Sequence, residues 1–143
     1  MLSQTPKNLI WATDGLSYYS LRNGKIIKEE PGKITGSTNI VAENLIPSGE
    51  IGPIVIKSFT LSPKQNIALI VTNTKRVWRY ETIGDCYLYN LKTQSIQKVG
   101  KKMPSSSLQF AKISPDEKWV AFVSGHNIYA EEIKTGQQIQ LTK

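Results

Sequence analysis

Apolar residues along this chain fall in short runs separated by polar bends, with no helical spacing. The clearest runs form a repeat: "FTLSPKQNIALIV" (59–71) matches "AKISPDEKWVAFV" (111–123), with Ser62-Pro63 over Ser114-Pro115. Their continuations match as well, "CYLYNLKTQSIQKV" from Cys86 with "IYAEEIKTGQQIQLT" from Ile128. Each copy reads as strand, S-P-x-x-x bend, strand, connection, strand, K-T-x turn, strand. Pro63 and Pro115 pre-set φ for the second position of a turn, and Lys64-Gln65-Asn66 and Asp116-Glu117-Lys118 complete a polar bend. Short β-branched and aromatic runs joined by tight turns predict antiparallel four-stranded units.

The N-terminal third carries a weaker relative, "LIWATDGLSYYSLRNGKIIKEE". Here Trp11 is expected in the place of Phe59 and Thr13-Asp14 in that of the Ser-Pro bend, with "RNGK" as a tight turn. "GKITGSTNIVAENLIPSGEIGP" follows as an outer strand and connector. The best helix candidate, "AEEIKTGQQIQ", contains Gly136 and aligns with strands. The expected fold is therefore all-β: about three antiparallel four-stranded blades of an incomplete β-propeller, at residues 8–56, 57–103 and 107–143. Rings commonly take about four to eight blades, so three leave sheet faces and edges open. The chain is expected to be a fragment of something larger that associates with copies of itself.

The two strong copies differ in one place. From Ser62 to Ser114 is 52 residues, but from Leu91 to Ile133 only 42, so the first copy holds ten more in its central connection. The second copy manages that connection with little more than "SGH". The longer one, "TNTKRVWRYETIGD" (72–85), is rich in arginine and aromatics.

The formal charge of +7 raises the question of nucleic acid. Lysines are spread along the whole chain, however, and the densest group is Lys98, Lys101 and Lys102. A nucleic-acid binder concentrates charge on one face and interleaves stacking aromatics, so this class is set aside. No run approaches the roughly 18 apolar residues of a membrane span. "MLSQTPKNLI" lacks the apolar stretch of a signal peptide, which leaves a cytoplasmic protein or one trimmed of its leader. The single Cys86, read as a small half-buried hydrophobe, excludes an internal disulfide and a multi-cysteine zinc site. No phosphate-cradling glycine loop or metal-ligand cluster occurs, so no cofactor is expected.

In order along the chain, "NLIWATDGLSYY", "SFTLSPKQNIALIV", "KRVWRYETIGDCYLYNL" and "AKISPDEKWVAFVSGHNIYAEEI" carry a resemblance. Over about residues 8–143 they resemble the N-terminal β-propeller of the dipeptidyl peptidase IV family of serine exopeptidases. In that family an extended W-R-x-S/Y loop stands between the S-P-D bend and the Y-x-I-Y-D-L strand. The resemblance implies that the arginine matching W-R, Arg79, contacts the carbonyl of the N-terminal part of a peptide substrate. A guanidinium suits that task because it stays charged and offers fixed N–H donors. Trp78 is expected to support the loop.

The resemblance also implies parts not found here. Hydrolysis needs a serine on a G-x-S-x-G elbow with aspartate and histidine partners. The chain has no such elbow, and its one histidine, His126, lies in the short "SGHN" connection, so no catalytic residue is assigned. Glu131-Glu132 invites comparison with the family's amine-binding glutamate pair, but that pair follows a D-W-x-Y context. In the repeat the two overlie Tyr89-Asn90, and they are assigned to a blade surface. The expected partners are a peptide substrate, an α/β-hydrolase domain and the remaining blades. The family context suggests a periplasmic, secreted or membrane-anchored location. The rival reading is a non-enzymatic WD40- or TolB-like protein-binding propeller, with the W-R-Y loop as its contact.

Overall fold

A computed structural model describes residues 7–22, 24–31, 38–41, 54–76 and 82–143. Among them are twelve strands in chain order. They are β1 (Lys7–Trp11), β2 (Tyr18–Arg22), β3 (Lys25–Glu29), β4 (Thr38–Val41), β5 (Ser58–Leu61) and β6 (Ile67–Arg76), then β7 (Thr82–Asn90), β8 (Ile96–Lys98), β9 (Gln109–Ile113), β10 (Trp119–Ser124), β11 (Asn127–Glu132) and β12 (Gln138–Gln140). They form three four-stranded antiparallel meanders, β1 to β4, β5 to β8 and β9 to β12, each ordered as in the chain. This is the expected all-β architecture of an incomplete propeller.

The sheets pack face to face, and the middle one is covered on both sides. Ala68 and Ile70 of β6 and Tyr87 and Tyr89 of β7 join Tyr19, Leu21, Ile26 and Phe59 in one core toward the first sheet. The alternate residues Ile67, Leu69, Cys86 and Leu88 join Val99, Leu108, Val120 and Phe122 in a second core toward the third. Two-sided burial explains why "IALIV" is continuously apolar, whereas "WVAFVS" alternates between half-buried and buried positions. Cys86 is accordingly buried, not half-buried.

The Ser-Pro bends superimpose in their hydrogen bonding. Ser62 N donates to Ile67 O and Gln65 N to Ser62 O; Ser114 N donates to Trp119 O and Glu117 N to Ser114 O. Gln65 and Glu117 are both left-handed, at φ 57° and 60°. The K-T turns match too, with Asn90 N to Ser95 O and Gln94 N to Asn90 O against Glu132 N to Gln137 O and Gly136 N to Glu132 O.

The first unit has the same bend at an offset that corrects the sequence alignment. Ala12 N donates to Ser17 O and Gly15 N to Ala12 O, so Ala12 stands for Ser62 and Trp11 for Leu61, not Phe59. Trp11 is 57% exposed, whereas Phe59 is 1% exposed. The serine's role passes to Asp14, whose Oδ1 accepts from the amides of Leu16 and Ser17, as Ser62 Oγ accepts from those of Asn66 and Ile67.

Candidate functional site at the lengthened hairpin

The ten additional residues extend a hairpin at a single rung. In the third sheet β10 and β11 end on the pair Ser124↔Asn127, closed by Gly125 and His126. Both turn residues have positive φ, 54° and 70°, which gives a two-residue turn whose twist suits the strands. The corresponding pair in the middle sheet is Thr72↔Asp85, and there the strands continue instead of turning. Two residues, Asn73 and Thr74, then face the single Gly84, and pairing resumes at Lys75↔Ile83 and Arg76↔Thr82. Such a bulge bends and twists a ribbon. Asn73 at φ 50° takes the left-handed conformation that asparagine tolerates.

Neighbouring segments tie this neck on both sides. Thr72 Oγ1 donates to Val55 O at 2.6 Å, fixing β6 to the segment before β5. Gly84 and Leu108 exchange backbone hydrogen bonds at 3.0 and 2.9 Å, joining β7 to the segment before β9. The Asp85 carboxylate, 3% exposed, accepts from Ser106 N at 2.8 Å and from Asn73 Nδ2 at 2.9 Å. Gly84 is required by close approach: a Cβ there would lie 2.8 Å from Thr72 O.

Lys75 and Arg76 are exposed on the outer part of the ribbon. Trp78 and Arg79, together with the rest of 77–81, lie outside the described residues. His126 sits exposed in its turn, and no group of three metal-ligating side chains occurs among the described residues. Among them there is also no helix long and apolar enough to cross a membrane.

Glu131 departs from its assignment to a surface. It is 7% exposed and accepts from Gly100 N at 2.7 Å, between the middle and third sheets. Burial pushes its carboxyl above the ordinary value, although the Gly100 amide and Lys101 act the other way. Its partner in the repeat, Tyr89, is also buried, and that was the available signal. Two clefts among the described residues lie away from the neck. One of about 630 Å³ is lined by Asn66, Lys92, Asp116, Glu117, Lys118 and Glu132 among others. Another of about 290 Å³ gathers Lys98, Lys101, Lys102 and Lys134 beside Glu131.

The sequence pattern of the family described as the dipeptidyl peptidase IV (DPP IV) N-terminal region matches residues 62–143, more than half of the chain. The chain belongs to this family. It is 25% identical over 115 residues to the dipeptidyl aminopeptidase B of Saccharomyces cerevisiae, covering 80% of this chain and 13% of that protein. The chain spans about a tenth of the length of the curated relatives it matches. A solved structure, dipeptidyl peptidase 4 of Porphyromonas gingivalis, aligns with a TM-score of 0.75 at 18% identity, over 96% of this chain and 19% of that one. TolB of Acinetobacter baumannii aligns at 0.56 and 17% identity, over 99% of this chain and 34% of its own. These two likenesses establish the propeller fold, while the sequence match to the DPP IV N-terminal region distinguishes the chain among propellers.

Proposed function

We propose that this chain is propeller from a serine exopeptidase that releases N-terminal dipeptides, and that its lengthened hairpin presents Arg79 to the substrate. The supporting observation is the hairpin itself. In a chain of the DPP IV N-terminal region, one of two otherwise equivalent hairpins is extended at one rung, and its sequence there is W-R-Y. The catalytic serine, aspartate and histidine belong in this reading to an α/β-hydrolase domain that the propeller caps, restricting entry to short or unfolded chains. The blades correspond to 8–56, 57–103 and 107–143. The uncovered face of the third sheet, with Trp119, Ala121 and Val123 beside exposed Ile128 and Ile139, receives a further blade or, in this chain alone, a second copy. A periplasmic, secreted or membrane-anchored setting suits such an enzyme.

Arg79 would act by fixing the scissile bond near the nucleophile. A charge-assisted hydrogen bond shielded from water contributes roughly 1.5–3 kcal/mol. Arg79→Ala in the enzyme carrying the catalytic domain should therefore lower kcat/KM for dipeptide release from proline-containing peptides by about tenfold or more. Unchanged turnover would remove Arg79 from the site. The rival reading is a non-enzymatic protein-binding propeller, with the W-R-Y loop as its contact. A coding sequence that continues beyond residue 143 with further blades and no G-x-S-x-G elbow would decide for it.

A further inference from the structure

The neck of the hairpin concentrates several unfavourable features at one rung. A carboxylate is buried there, although charged groups resist leaving water. Among the described residues its hydrogen-bond donors are Asn73 and Ser106, both at positive φ, 50° and 53°, a conformation that residues with a Cβ rarely adopt. Opposite them Gly84 leaves no room for a side chain. The equivalent rung of the third sheet, Ser124↔Asn127, closes directly into a turn, with left-handed Gly125 and His126 and no buried carboxylate at the rung.

We propose that Asp85 is the positioning residue that sets the direction of the W-R-Y hairpin. The bulge releases the outer ribbon from the geometry of the sheet, because Asn73 and Thr74 share one partner. One carboxylate then takes up that freedom. Through Oδ2 it holds the bulged residue Asn73, and through Oδ1 it holds the Ser106 amide, which belongs to the connector into the third sheet. Gly84↔Leu108 lies next to this pair and makes a second tie to the same connector. The ribbon beyond the bulge is thereby referred to the third sheet as well as to its own. Asp85 touches no substrate in this account and acts through residues 77–81, so its effect on catalysis rests on the role proposed for Arg79.

The test uses the hydrogen-bond pattern. Asn73→Asp replaces the amide donor by a carboxylate facing that of Asp85, and leaves Ser106 N its acceptor. The double variant Asn73→Asp/Asp85→Asn restores a donor–acceptor pair across the bulge. Asn73→Ala deletes only the exposed partner and serves if a change at the buried position prevents folding. Trypsin sites at Lys75, Arg76 and Arg79 report on the ribbon. Asn73→Asp and Asn73→Ala should raise cleavage there by roughly tenfold with the sheets still folded by circular dichroism, and the double variant should return it toward the parent rate. Cleavage unchanged in Asn73→Ala and in Asn73→Asp, or no recovery in the double variant, overturns the proposal. In the enzyme carrying the catalytic domain, the same variants should raise KM more than they lower kcat. Faster, rescuable cleavage with KM unmoved would leave Asp85 in its positioning role and bring down the substrate contact of Arg79 instead.

Discussion

Gln65 and Glu117 occupy the same left-handed position in successive bends, and each reaches back into the bend of the preceding sheet. Gln65 accepts from Thr13 N at 2.9 Å and donates to Trp11 O at 2.8 Å. Glu117 accepts from Ser62 Oγ at 2.7 Å, Lys64 N at 3.0 Å and Asn66 Nδ2 at 3.2 Å. The residue that shapes each corner therefore also fastens its sheet to the one before. In the first bend the position is held by Gly15, which has no side chain to extend.

Glu117→Ala should loosen the third sheet from the second. It removes the acceptor for three donors, two of them half-exposed or better, so the cost is about 1–2 kcal/mol. A double-mutant cycle with Ser62→Ala, read by urea denaturation, should give a coupling of about 0.5 kcal/mol or more. Strict additivity would show that the clasp contributes nothing.

Glu117 and Glu131 should impose opposite pH dependences. Burial raises the Glu117 carboxyl, but hydrogen bonds from Ser62, Asn66 and Lys64 outweigh it and hold the group below its ordinary 4.5. Its contribution is fully present above that value and is lost as pH falls through the lower folded pKa. The Glu131 carboxyl is raised, so the folded state binds its proton more tightly. That contribution favours the fold below 4.5 and is lost as pH rises through the folded pKa. Glu131→Gln keeps an acceptor for Gly100 N without a buried charge, and should match or exceed the parent in stability at neutral pH. Urea midpoints from about pH 3 to about pH 8 check both signs. Marked destabilisation by Glu131→Gln at neutral pH would refute the second.

Gly84→Ala should destabilise the neck by about 1–3 kcal/mol, because the new methyl must displace backbone. The nearest atom is the Thr72 carbonyl oxygen at 2.8 Å, with Thr74 Cγ2 at 3.2 Å behind it. Thermal unfolding measures the loss. Gly125→Ala has open space around its Cβ and should cost only the strain of its positive φ.

Cys86 should be silent toward thiol reagents in the native state. Burial, with the neighbouring Asp85 charge adding to it, pushes its thiol up to about 12, so little thiolate exists at neutral pH. Reaction at about pH 8 should follow opening of the core between the middle and third sheets, and accelerate with denaturant. Rapid stoichiometric labelling of folded protein would contradict this.

The repeated bends were legible because proline and a polar trio mark them directly, and the offset between bends and K-T turns located the insertion to the central connection, 72–85. Trp11 was misplaced for a physical reason. The first bend draws its amide acceptor from Asp14, two positions after Ala12, so matching side chains slid the alignment away from the hydrogen bonds. Asp85 passed as the end of a polar loop, since nothing local shows that a connector 21 residues later supplies its donor. The role of Arg79 came from family resemblance alone, and that residue lies outside the described part of the chain.

The two central hairpins keep one frame as far as Thr72↔Asp85 and Ser124↔Asn127, and diverge only beyond it. Everything past that rung is modular: its length can change without re-registering a core residue. A chimera carrying Gly-His in place of residues 73–84 keeps both cores on paper and discards the appendage, which separates the scaffold from whatever the appendage recognises.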